Sequence, residues 1–104
     1  MYSELSEDNL SHILATHNMV IVQYGATWCG NCKIIKPKFK RLAESNEGIE
    51  FFYVDAEKFP LSRKHANVSN LPTFGAFKGG ELVKESQGNK VETIQEVLDA
   101  LTSN

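Results

Sequence analysis

The spacing of apolar residues along this chain changes repeatedly, and each change marks an element. Leu10, Ile13 and Leu14 share one helical face behind the cap-like run Ser6-Glu7-Asp8, which predicts a first helix. Met19 to Tyr24 is a short β-branched run, a buried strand that Gly25 ends or loosens. From Gly30 to about Ser45, Ile34, Ile35, Phe39, Leu42 and Ala43 recur at helical spacing, with Pro37 inside the pattern as a source of a kink. Ile49 to Val54 is a second strand, and strand, helix and strand at this spacing argue for a right-handed parallel crossover. Between Asp55 and Ala66 the pattern is weaker, with a short helix starting near Phe59-Pro60. Thr73 to Phe77 and Leu82 to Ser86 flank Lys78-Gly79-Gly80-Glu81, a turn that predicts an antiparallel hairpin. Val91, Ile94, Val97, Leu98 and Leu101 mark a closing amphipathic helix. The fold predicted from these elements is α/β, a mixed central sheet with helices on both faces.

Length and composition narrow the function classes. The 104 residues suit one domain, 1–104. With 41% hydrophobic and 23% charged residues the mix is that of an ordinary globular chain, which sets aside disorder and fibrous repeats. A net charge of −2 offers no footprint for nucleic acid. The longest aliphatic run, Met19-Val20-Ile21-Val22, is far too short to cross a bilayer. The start, Met1 to Asp8, is acidic and lacks the basic-then-apolar order of a signal peptide, so a cytoplasmic home is expected.

The cysteines carry the chemistry. There are two, Cys29 and Cys32, and a bridge between such close neighbours constrains the unfolded chain little. Structural disulfides are also rare in the cytosol, so reactivity explains the pair better than stability. Residues three apart on a helical turn are neighbours, with a Cα separation of roughly 5–6 Å that falls in the disulfide range. Cys29 sits at the helix N-terminus, where free N–H groups and the helix dipole stabilise a thiolate, and is expected to be the nucleophile. Cys32, one turn in, is expected to be more buried and to resolve the mixed disulfide. Gly30 allows a partner's backbone to approach, and Trp28 offers a flat contact surface.

Zinc would need further ligands. No second cysteine pair exists, His12 and His17 lie about 140° apart around a helix, and His65 is remote, so no metal site is expected. The histidines read as solvated surface residues. No Gly-x-Gly-x-x-Gly run accompanies Gly25 to Gly30, so no bound nucleotide cofactor is expected.

At Trp28-Cys29-Gly30-Asn31-Cys32-Lys33 the sequence resembles the thioredoxin family, and the likeness covers nearly the whole chain. The resemblance implies the thioredoxin fold. It places Pro37 at the family's helix-kinking proline and makes Leu71-Pro72-Thr73 the cis-proline segment that lines the substrate groove. There the Leu71 backbone pairs with an extended substrate, and Gly88 borders the same surface. Four positions depart from the family pattern. Asn31 replaces a proline and restores an N–H, one more donor for the Cys29 thiolate, which is expected to shift the couple toward oxidising potentials. Gln23 replaces a buried aspartate and Tyr53 its lysine partner, a joint exchange that leaves no charge stranded. Losing that base predicts a slower or more alkaline resolving step, which Gln23→Asp would accelerate. Gly25 replaces a tryptophan and is expected to leave a smaller, less aromatic flank.

The function implied is protein-disulfide reduction by a monomer that acts on disulfide-containing proteins and is recharged by an NADPH-dependent thioredoxin reductase. Two alternatives stay open: a redox-inactive binding or chaperone module, and a more oxidising thiol oxidant or isomerase.

Overall fold

Residues 1–103 are described by a computed structural model. Residue 104, the last of the expected domain, lies outside the described residues. The elements in chain order are β1 (Tyr2–Glu4), α1 (Leu10–Thr16), β2 (Met19–Gly25), α2 (Gly30–Glu44), β3 (Glu50–Asp55), α3 (Pro60–Arg63), β4 (Thr73–Lys78), β5 (Glu81–Gln87) and α4 (Val91–Thr102). They form one five-stranded sheet in the order β1-β3-β2-β4-β5. β2 is central, parallel to β3 and antiparallel to β4, so the sheet is mixed as expected. No helix among the described residues is long and apolar enough to cross a membrane.

Alternation along the strands divides the core in two. Ile21, Phe51, Phe74 and Ala76 face Ile35 and Phe39 of α2 and Ile94, Val97, Leu98 and Leu101 of α4. Val20, Val22, Tyr24, Phe52, Val54 and Phe77 face Leu10 and Leu14 of α1, with Phe59 and Val68. Buried strands covered on both faces are why β2 reads as an unbroken apolar run. At the β4–β5 turn Gly79 and Gly80 have φ of +60° and +86°, the left-handed pair that a tight hairpin of this type requires.

Four details differ from the sequence reading. β1 was not expected. Its three residues pair with β3 in parallel, and they form a strand because that edge of β3 needs hydrogen-bond partners. Ile34 is 65% exposed, since the buried stripe of α2 runs through Cys32, Ile35, Phe39 and Ala43. Asp8 does not cap α1, whose N-cap Asn9 makes no side-chain cap bond. Its carboxylate instead accepts from the Leu61 and Ser62 N–H groups at 3.0 and 2.7 Å, capping α3. In return the Ser62 hydroxyl accepts from the Leu10 N–H at 3.2 Å, at the start of α1. The histidines are also less solvated than expected. His12 is exposed, whereas His17 and His65 are half-buried, with His17 Nδ1 3.0 Å from the Ile13 carbonyl oxygen.

Candidate functional site

The site forms where the central strand β2 ends and α2 begins. The Cys29 N–H donates to the Ala26 carbonyl at 3.2 Å, turning the chain, and Cys29 then serves as N-cap of α2 with φ −86° and ψ 104°. Its Sγ accepts from the Cys32 N–H at 3.2 Å, so a backbone donor of the first helical turn is aimed at that sulfur. The two cysteines are joined as a disulfide with Cα atoms 5.3 Å apart, inside the range read from their spacing. Cys29 keeps 5% of its surface exposed and Cys32 none, which matches the expected asymmetry. Pro37 lies inside α2 as expected and withholds the N–H that would meet the Lys33 carbonyl.

Around the pair three loops converge. Ala26, Cys29 and Cys32 form a small apolar cluster that Leu71 covers. The Leu71–Pro72 peptide bond is cis, Pro72 is buried, and the Pro72 carbonyl accepts from the Gly88 N–H at 3.2 Å. Leu71 is thus packed against the cysteine pair, and the Pro72–Gly88 hydrogen bond ties its neighbour to the loop after β5. Trp28 is 66% exposed and its indole N–H donates to Glu57 at 2.7 Å, which anchors one edge of an otherwise open ring. A cleft of about 300 Å³ runs alongside it, lined by Trp28, Glu57, Arg63, Ser69, Asn70 and Leu71. Gly30 has open space where a Cβ would stand, as close approach of a partner requires.

The four departures resolve differently. In the disulfide the N–H at Cys29 Sγ is that of Cys32, and the Asn31 side-chain oxygen accepts from Asn89 at 3.1 Å. Gln23 is wholly buried, and its Nε2 donates to the Cys32 carbonyl at 3.1 Å, but its Oε1 has no partner among the described residues. The flank at Gly25 is not less aromatic. The Tyr53 ring fills it, with its hydroxyl the nearest atom to where a Gly25 Cβ would be and Cζ at 2.9 Å from that point. Lys36 lies 4.2 Å from the Tyr53 ring centroid and pairs with Glu4 at 2.8 Å. Burial raises the Tyr53 phenol above its ordinary range, and the charges of Asp55 and Glu4 push the same way, so it stays protonated. A cavity of about 400 Å³ opens beside it, with Lys33, Lys58 and Phe59 in its wall.

Glu57, Asn89 and the Tyr53–Gly25 packing were missed by sequence reasoning. Of these only Tyr53 left a trace, as a polar-tipped residue on the face of β3 that Phe51 shares.

A dithiol pair at a strand-to-helix junction, roofed by a cis-proline loop, invites comparison with proteins built the same way. The thioredoxin family model matches residues 2–100. The chain belongs to the thioredoxin family. Human thioredoxin is 36% identical over 87 residues, spanning 84% of this chain and 83% of its own. The crystal structure of reduced Schistosoma mansoni thioredoxin pre-protein superposes with a TM-score of 0.84 at 36% identity, covering 94% of this chain and 95% of that one. A thioredoxin f2 solved in complex with ferredoxin:thioredoxin reductase gives 0.86 at 29% identity, covering 98% and 96%. This thioredoxin is a thiol–disulfide oxidoreductase, and its redox-active centre is the Cys29–Cys32 pair.

Proposed function

We propose that this thioredoxin reduces protein disulfides with Cys29 as nucleophile and Cys32 as resolving thiol. The observation that carries the assignment is the unequal burial of the two cysteines, together with the Cys32 N–H directed at Cys29 Sγ. The Cys29 thiolate attacks one sulfur of the substrate, forms a mixed disulfide and expels the other substrate sulfur as a thiolate. Cys32 then loses its proton and attacks Cys29 Sγ. The Cys29–Cys32 bond forms, the mixed disulfide breaks, and the substrate leaves with both electrons of the pair.

The substrate occupies the cleft beside Trp28 as an extended segment. Two features support this: the exposed indole, and the Leu71 N–H and C=O, which take no partner among the described residues. Gly88 borders that segment, and its N–H is already spent on Pro72. Recharging falls to a dedicated reductase. The complex of the related thioredoxin f2 with ferredoxin:thioredoxin reductase supports a reductase as partner, and an NADPH-dependent one is what the family resemblance implies. The protein acts as a cytoplasmic monomer.

Insulin reduction by dithiothreitol tests the reading. The native protein is expected to accelerate the turbidity that follows chain separation, and Cys29→Ser to abolish that gain. Equal turbidity rates for the two would overturn the assignment in favour of a binding module.

A further inference from the structure

Gln23 holds a polar imbalance at the centre of the molecule. Its side chain is wholly buried and its nitrogen is engaged on the Cys32 carbonyl, but its carbonyl oxygen has no donor among the described residues. Buried acceptors are nearly always satisfied, so an orphan beside a reactive group asks for a use. Cys32 supplies the complementary half. Its sulfur carries no proton in the disulfide. When the bridge opens with Cys32 as a thiol, its S–H is cut off from water. The amide oxygen and nitrogen of Gln23 share one carbon, so anchoring the nitrogen on Cys32 confines the oxygen to that residue's surroundings.

We infer that Gln23 Oε1 is a redox-linked acceptor, taking the Cys32 S–H in the reduced protein and standing without a donor in the oxidised one. The inference rests on the dithiol reading above. With a dithiol reductant, the Cys29–Cys32 bond breaks and the reductant's two sulfurs join. One reductant proton stays on Cys32, the other goes to solvent, and Cys29 is left as thiolate. Only the reduced side gains the new hydrogen bond, so Gln23 favours the dithiol and makes the pair more oxidising. An amide carbonyl accepts a hydrogen bond without taking the proton. Gln23 is therefore a positioning residue for Cys32 rather than a base.

Cys29→Ser leaves Cys32 as the sole thiol of the chain, which makes its S–H stretching band unambiguous. That band is expected at lower frequency, and broader, than in Cys29→Ser/Gln23→Met. With both cysteines present, Gln23→Met is expected to move the equilibrium against dithiothreitol about fivefold toward the disulfide. Loss of the Gln23 nitrogen affects both redox states and cancels. Should the Met variants fail to fold, the native protein serves: the ¹³C resonance of the Gln23 side-chain carbonyl is expected to move on reduction. An S–H band indifferent to Gln23, or a carbonyl resonance unchanged between the two states, overturns the inference. A native protein inactive on insulin would remove the reductase reading and leave the S–H result standing, so the two failures are distinguishable.

Discussion

Replacing Gly25 by alanine tests whether Tyr53 has taken over the space beside the active-site turn. The new Cβ would meet Tyr53 Cζ at 2.9 Å and Cε2 at 3.0 Å and would press closest of all on its hydroxyl. Carbon pairs prefer about 3.5–4.0 Å, so the ring has to slide by roughly 0.5–1 Å. It has room on the side of the 400 Å³ cavity, but moving there disturbs its contact with Lys36. The expected cost is about 1.5 kcal/mol, within the range for overpacking plus a weakened cation–π contact. For a domain of this size that lowers Tm by roughly 6–12 °C. The φ of Gly25 is not positive, so alanine carries no backbone strain there. In a Tyr53→Ala background the clash is gone, and Gly25→Ala is expected to be neutral or to stabilise by about 0.4–1 kcal/mol through the unfolded chain. Thermal melts of the four oxidised proteins close the cycle, with an expected coupling near 2 kcal/mol, typical of contacting residues. Equal losses of Tm in both backgrounds would refute the reasoning.

Two further outcomes concern charge and contact. Glu4 is held below the usual carboxylate range, first by its hydrogen bond with Lys36 and against partial burial that acts the other way. Its contribution is therefore present above the unfolded pKa of about 4.3 and lost as pH falls through the lower folded value. Urea titrations of native and Glu4→Gln protein should differ by less than about 1 kcal/mol at neutral pH, because the pair is half-exposed, and should converge in acid. A gap that persists or widens in acid contradicts the assignment. Trp28→Ala should change stability within about 0.5 kcal/mol, since the ring is mostly exposed, while kcat/KM for a protein disulfide drops at least about tenfold. Turnover of a small linear disulfide, which makes no use of the indole, should hold.

What the sequence disclosed follows from how local each signal is. The cysteines, their spacing and their unequal burial were legible because a single helical turn sets all three. The runs that became β2 and β3 were legible because strands buried on both faces must be apolar throughout. β1 was hidden since Tyr2-Ser3-Glu4 contains one aromatic residue and no periodicity, and its strand exists only by pairing with β3. Ile34 was misplaced because it adjoins Ile35, and a 100° step around the helix separates a core position from an exposed one. Asp8 looked like the cap of the helix nearest in sequence, whereas the cap it makes is more than fifty residues away. The Tyr53 ring over Gly25 and the orphan oxygen of Gln23 depend on what the adjoining strand and helix put opposite them. No pattern within one strand encodes that.

The exchange of caps between α1 and α3 makes partners of two segments too short to persist alone. A helix of four residues has no independent stability. It survives because Asp8 arrives from the approach to α1, and α1 starts under a hydroxyl that α3 supplies. The Tyr24 phenol, donating to the Ser62 carbonyl at 3.1 Å, fastens the central strand to the same knot. That side of the sheet therefore opens as one body or stays shut, and the strand feeding the reactive sulfurs has a firm backing on the face away from α2.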